Sequence, residues 1–205
     1  MRTIIIFTSI FMMGLNISIS AHKKLGKTTN VYLKGGVNFS SAYDVKPNMF
    51  DKDFKAGFSL GVQLDRKLDH HLYFQSGISF TAKGVEFNPK GYDKPTKINQ
   101  MYLQLPLSLA YKFHLDRKTY LVLNLGPYIA YGIGRKIDDV SAKEHNSFSK
   151  ARLRRFDTGL LSGIGLEVDR VLLGLNYEYG LLDIAQPKKD SYKNQNISIS
   201  LGYKF

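Results

Sequence analysis

The sequence contains no cysteine and no tryptophan, and only 6 prolines in 205 residues. Without cysteine there is no disulfide scaffold, no thiolate zinc site and no cysteine nucleophile, while the redox compartment stays open. The prolines are scattered, and no Pro/Gly/Ser-rich or low-complexity linker divides the middle of the chain, so one domain is expected. Beyond Ala21 no run of about 20 apolar residues occurs, which excludes ordinary transmembrane helices from the mature chain. Any membrane span must therefore be β. Acidic residues are the minority, 17 against 29 Lys and Arg, giving a formal charge of +12. Such a surplus attracts phosphates, on nucleic acid or on lipid head groups, and names a class of partner rather than an activity. What is present is 43% hydrophobic, 13% aromatic and 22% charged, a composition that excludes collagen, coiled coil and disorder.

The N-terminus reads as a secretory signal peptide. Arg2 precedes Ile4-Ile5-Ile6-Phe7, Ile10-Phe11-Met12-Met13 and Leu15, and Ser18, Ser20 and Ala21 offer small residues for cleavage before His22-Lys23-Lys24. The apolar run is too short to cross about 30 Å of hydrocarbon comfortably, and no stop-transfer block follows it. Cleavage near residue 21 or 22 would divide the chain into a signal peptide, residues 1–21, and a barrel domain, residues 22–205.

From Val31 onward apolar residues recur at every second position, the period of a strand and not of a helix. Met101, Leu103, Leu105, Leu107, Leu109, Tyr111 and Phe113 alternate with Tyr102, Gln104, Pro106, Ser108, Ala110 and Lys112. Leu173, Leu175, Tyr177 and Tyr179 alternate with Gly174, Asn176, Glu178 and Gly180, and Ile197, Leu201, Tyr203 and Phe205 with Asn196, Ser198, Ser200 and Lys204. Similar segments at about 31–41, 55–65, 71–85, 119–134 and 156–168 bring the total to eight strands. They exceed a typical globular strand of about 5–6 residues and suit a tilted bilayer crossing of about 9–11. Connections at 65–70, 114–118 and 169–170 are short, whereas 42–54, 86–97, 135–155 and 182–194 are long. Short turns and both termini on one side, with long loops on the other, is the layout of an outer-membrane barrel. The fold class expected is all-β: an eight-stranded antiparallel up-and-down transmembrane β-barrel with a cleaved N-terminal signal peptide, located in the outer membrane of a Gram-negative cell.

A soluble lipocalin-like barrel shares the strand count but needs the opposite facing, with the apolar set around a pocket. The non-apolar set here carries Gly57, Gly61, Gly77, Gly126, Gly132, Gly159, Gly163, Gly165, Gly174 and Gly180. Small residues mixed with long polar ones fit a narrow packed interior better than a solvated face. Lys34, Lys83, Lys112, Asp157, Glu167 and Glu178 would then share that interior with Gln63, Gln75 and Gln104, and a plug of ion pairs and hydrogen bonds is expected over a diffusion pore. Tyr111, Phe113, Tyr131, Tyr177, Tyr179, Tyr203 and Phe205 fall near strand ends, where aromatic girdles belong. A lysine at Leu105 is expected to oppose insertion, and one at Gln104 to be mild.

Several stretches resemble the PorT-type outer-membrane β-barrel family of Bacteroidota: Tyr102-Leu103-Gln104-Leu105-Pro106-Leu107, Gly126-Pro127-Tyr128, and Phe156-Asp157-Thr158-Gly159 with Gly163 and Gly165. Tyr177-Glu178-Tyr179-Gly180-Leu181 and the terminal Leu201-Gly202-Tyr203-Lys204-Phe205 complete a resemblance that covers residues 31 to 205. It implies the barrel fold and the outer membrane, and, through the namesake, a tie to protein secretion. Asn176 stands where many members are expected to carry arginine. By analogy, the terminal Phe205 is a signal read by the barrel-assembly machinery through strand pairing.

Candidate chemistry is sparse. His70, His71 and His114 fall in the expected short turns and His22 near the cleavage point, which leaves His145 in a long loop beside Glu144, Asn146 and Ser147. Glu144, His145 and Ser147 contain the residue types of a hydrolytic set, but neighbours in a loop are rarely held in that geometry. Adjacent His70 and His71 point oppositely on a strand and have no evident third metal ligand. No catalytic, cofactor-binding or metal-binding residue is therefore assigned, and the chain is expected not to be an enzyme. Residues 135–155 carry seven basic residues against three acidic ones, net +4. Arg135, Lys136, Arg152, Arg154 and Arg155 are the expected contacts to outer-membrane lipid phosphates, for which the guanidinium fork is suited. A structural or interaction role is expected, with a secretion or envelope-assembly component as the alternative. A lipid-modifying enzyme ranks below these, and a nucleic-acid partner is not expected.

Overall fold

The computed structural model describes residues 28–43, 50–89, 96–138, 154–183 and 193–205. Eight strands follow in order: β1 Thr29–Tyr43, β2 Phe50–Lys67, β3 Leu72–Pro89, β4 Thr96–Asp116, β5 Thr119–Asp138, β6 Phe156–Val168, β7 Val171–Gly180 and β8 Lys193–Lys204. Each pairs antiparallel with its sequence neighbour, and β8 pairs with β1 from Tyr32↔Lys204 to Tyr43↔Lys193, closing the barrel. The last residue joins this seam, since the Phe205 N–H donates to Val31 O at 3.0 Å. Closure removes the sheet edges that an open eight-stranded sheet would expose.

Side-chain facing follows the period-two alternation. Leu105 is 38% exposed on the outer surface while Gln104 is 3% exposed inside. Val62, Ile78, Leu125, Leu173 and Leu201 stand outward with it, an arrangement opposite to that of a soluble ligand-binding barrel. Along β4 the lipid-facing set runs from Met101 to Phe113. Twelve rises of about 3.4 Å at a tilt of about 40° give a band of roughly 31 Å, about the thickness of the hydrocarbon core.

The strands depart from the sequence expectation at their outer ends. β2, β3, β4 and β5 extend to Phe50, Pro89, Thr96 and Asp138, so the connections expected at 42–54 and 86–97 shrink to 44–49 and 90–95. Above the bilayer neither face of a strand meets lipid, so apolar alternation ends while backbone pairing continues. At the periplasmic end, Asp65 and His114 belong to β2 and β4 rather than to the turns expected at 65–70 and 114–118. The turn between β6 and β7 is the expected Asp169–Arg170, with Asp169 in the left-handed region at φ 53°, which an aspartate tolerates better than most residues.

Two prolines interrupt neighbouring ladders at mid-height. Pairing of β3 with β4 lapses opposite Leu105 and Pro106, and pairing of β4 with β5 lapses opposite Gly126 and Pro127, where no N–H is available to donate. Inward glycines let the walls approach. A Cβ on Gly159 would lie 2.1 Å from the Tyr179 carbonyl oxygen and 2.8 Å from the Tyr128 ring.

Candidate functional site

The inward-facing polar residues gather into two plugs separated by a chamber. In the periplasmic half, Lys112 on β4 lies between two carboxylates, 2.9 Å from Asp65 Oδ2 on β2 and 2.7 Å from Glu167 Oε2 on β6. Its ammonium also donates to the Tyr32 hydroxyl oxygen at 3.1 Å and sits 4.6 Å from the centre of the Tyr73 ring. Tyr32 donates to Glu167 Oε2 at 3.2 Å, and Lys204 pairs with Glu167 Oε1. Gln63 and Gln75 donate to the two oxygens of Asp65, at 2.6 and 3.1 Å. Tyr32, Ala110, Val122 and Leu172 seal this layer.

The outer plug is organised around Lys83 on β3, 2.6 Å from Glu178 Oε2 on β7. Gln104 bridges the pair, accepting from Lys83 at 3.0 Å and donating to Glu178 Oε1 at 2.7 Å, while Asn196 donates to Glu178 Oε2 at 3.2 Å. Asp157 accepts from Asn194 at 2.8 Å and from Tyr128 at 3.4 Å. Tyr102, Tyr128 and Ala130 pack behind this network, and the Lys83 ammonium lies 4.8 Å from the centre of the Tyr128 ring. Lys83, Lys112, Glu167 and Glu178 are thus paired and hydrogen-bonded, the condition under which low dielectric tolerates a buried charge, while Asp157 and Lys34 are hydrogen-bonded to neutral groups. Between the plugs a cavity of about 90 Å³ is lined by serine hydroxyls, asparagine amides and Lys34.

The residues singled out from the sequence separate clearly. Lys34, Lys83, Lys112, Asp157, Glu167, Glu178, Gln63, Gln75 and Gln104 all face inward, as expected. Asp65 joins them, and sequence reading missed it because Asp65-Arg66-Lys67 looks like a charged turn; its position in the period, two residues after inward Gln63, was the available signal. Gln104 proves to be a bridge between charges, so a lysine there would set a second ammonium beside Lys83 and would not be mild. Tyr111, Phe113, Tyr131, Tyr177, Tyr179 and Tyr203 are outward and exposed, as a girdle requires, and Phe205 is half-buried edge-on to Tyr203 at 5.3 Å.

The histidines go to separate partners. His70 Nδ1 lies 2.9 Å from Asp69 Oδ1, and the His70 backbone and ring hold the Asp69 carboxyl below the usual carboxylate range. The His71 ring stacks on Tyr111 at 5.6 Å, and His114 lies 5.1 Å from Tyr120. Among the described residues no group of three or more His, Asp or Glu is placed to hold a metal ion. Arg154 and Arg155 are exposed at the outer rim beside β5, where the Gly132 N–H donates to Arg155 O at 2.7 Å. Arg135 and Lys136 lie on the outer extension of β5. The expected signal peptide, His22, Arg152 and the Glu144, His145 and Ser147 set lie outside the described residues.

The family model of the outer membrane protein beta-barrel domain matches residues 11–186. The chain belongs to that family. This outer-membrane barrel is similar to three solved structures, each at low identity. OprG of Pseudomonas aeruginosa is 13% identical over 87% of this chain and 96% of that one, with a TM-score of 0.49. Neisserial surface protein A is 14% identical over 85% and 97%, at 0.48. Ail of Yersinia pestis, in complex with the heparin analogue sucrose octasulfate, is 16% identical over 86% and 99%, at 0.46. No curated protein sequence matches the chain.

Proposed function

We propose that this outer-membrane barrel is a non-enzymatic structural or interaction protein of the cell envelope whose outer basic rim contacts lipid phosphates. The reading rests chiefly on the self-neutralising interior. Lys83, Lys112, Glu167 and Glu178 satisfy one another, so these four charges are committed to holding the wall together. The rim supplies the contact surface, because the Gly132–Arg155 hydrogen bond brings Arg154 and Arg155 beside the segment of β5 that leads to Arg135 and Lys136. Guanidinium groups at the outer face match phosphate oxygens in charge and fork geometry. The test is thermal unfolding in vesicles containing lipid A or its dephosphorylated form. Phosphorylated lipid should raise the melting temperature of the wild type, and Arg154→Ala/Arg155→Ala should lose that rise; an equal response of the two proteins overturns the rim contact. Cells expressing the wild type should show an unchanged lipid A mass profile, and a change abolished by His145→Ala would establish an enzyme instead.

A second reading, a PorT-like component of a secretion or envelope-assembly complex, is supported by the height of one wall. β2 to β5 rise beyond the bilayer, and among the described residues β5 from Ile133 to Asp138 pairs only with β4. That edge of β5, with no second strand beside it among the described residues, suits an extended partner segment. Affinity capture from native envelopes should then recover stoichiometric partner proteins, and recovery of lipid alone counts against it. The half-buried Phe205 at the β8–β1 seam fits recognition of the last strand by the assembly machinery. Deleting it should lower assembly in cells while leaving refolding in detergent intact.

A further inference from the structure

We infer that the chamber between the two plugs is a binding site for a small monovalent anion, with Lys34 as its charged ligand. On the periplasmic side three inward ammonium groups, Lys34, Lys112 and Lys204, face two carboxylates, Asp65 and Glu167. Lys112 and Lys204 take those carboxylates, so Lys34 is the cation left over. Among the described residues its one hydrogen-bond partner is neutral, Gln63 Oε1 at 2.9 Å. Gln63 is held in that orientation because its amide nitrogen donates to Asp65 at 2.6 Å. An ammonium has three N–H groups, so two remain for a ligand, and a charge withdrawn from bulk water without a counter-ion is costly.

The surroundings suit an anion. The cavity of about 90 Å³ that Lys34 lines exceeds the roughly 10–15 Å³ needed for one water and accommodates an ion with part of its hydration shell. Hydroxyls of Ser59, Ser79 and Ser108 and amides of Asn124 and Asn176 line the same space and offer neutral donors. Glu178 also borders it, but its oxygens are occupied by Lys83, Gln104 and Asn196. Lys34 offers one positive charge with no carboxylate in contact among the described residues, while Asp157 and Glu178 nearby oppose further negative charge, so a monovalent anion fits better than a divalent one. The Lys34 side chain lies in a trough between Gly61 and Gly202, where a Cβ on Gly202 would sit 3.1 Å from Lys34 Cγ.

Bromide is the probe. Crystals of the refolded protein soaked in sodium bromide and measured at the bromine absorption edge should show an anomalous peak inside the chamber, within about 3.5 Å of Lys34 Nζ, a charge-assisted contact distance with a margin for the larger ion. Lys34→Met should lose that peak while keeping surface bromides, and Lys34→Arg should retain it. Because the wild type alone decides the first outcome, the test survives a Lys34→Met variant that does not fold. Absence of a chamber peak in the wild type, or its persistence in Lys34→Met, overturns the assignment.

Discussion

Removing Lys112 tests whether the interior is held by the ion pairs described. Lys112→Met keeps the side-chain length but deletes the charge between Asp65 at 2.9 Å and Glu167 at 2.7 Å. Breaking one partner of a buried pair typically costs about 3–5 kcal/mol, because the remaining charge is stranded. The two carboxylates are not equally stranded. Glu167 keeps Lys204 and the Tyr32 hydroxyl, whereas Asp65 keeps, as hydrogen-bond partners among the described residues, the amides of Gln63 and Gln75. Most of the loss should therefore sit on Asp65, and Lys112→Met/Asp65→Asn should recover more stability than Lys112→Met/Glu167→Gln. The sequence has no tryptophan, so the transition is followed in detergent micelles by circular dichroism or by the mobility difference of folded and unfolded barrel on gels, against urea. An unchanged midpoint for Lys112→Met, or better rescue by the Glu167 change than by the Asp65 change, would contradict the pairing.

Other expectations follow from facing, packing and the turn. Leu105→Lys puts a charge at mid-bilayer and should lower the stability of the inserted barrel by about 2–4 kcal/mol, read from urea midpoints; an unchanged midpoint would contradict the facing. Gly159→Ala collides with backbone that cannot move aside and should cost at least about 1–3 kcal/mol or block refolding, while Gly35→Ala, whose nearest neighbour would be Leu60 Cδ1 at 3.8 Å, should refold normally. Asp169→Val should destabilise by about 1–2 kcal/mol because a β-branched residue resists the left-handed region, and Asp169→Gly should be neutral or slightly stabilising, both read from urea midpoints.

Reading β4 and β8 as alternating sequences was sufficient to assign inside and outside, because successive Cβ atoms on a strand point to opposite faces whatever the partner strand is. Strand count, the end that bears the long loops and the inward placement of Lys83, Lys112 and Glu178 follow from that local rule. The family match and the closed order of strands agree with them. Strand height was not readable in this way: outside the lipid, residues such as Lys97-Ile98-Asn99 carry no alternation although they pair in register with β3 and β5.

The partners of the inward charges depend on closure and stagger, which place residues distant in the chain at one height. Glu167 meets Lys112 across 55 residues of sequence, and Lys83 reaches Gln104 across 21. The period places Asp65 inward, two residues after Gln63, but does not name Lys112 as its partner, and it does not distinguish Lys34, left with a glutamine, from the ion-paired lysines. Those differences arise only when eight strands close around a narrow lumen and each charge must settle with whichever neighbour the register brings within hydrogen-bonding reach.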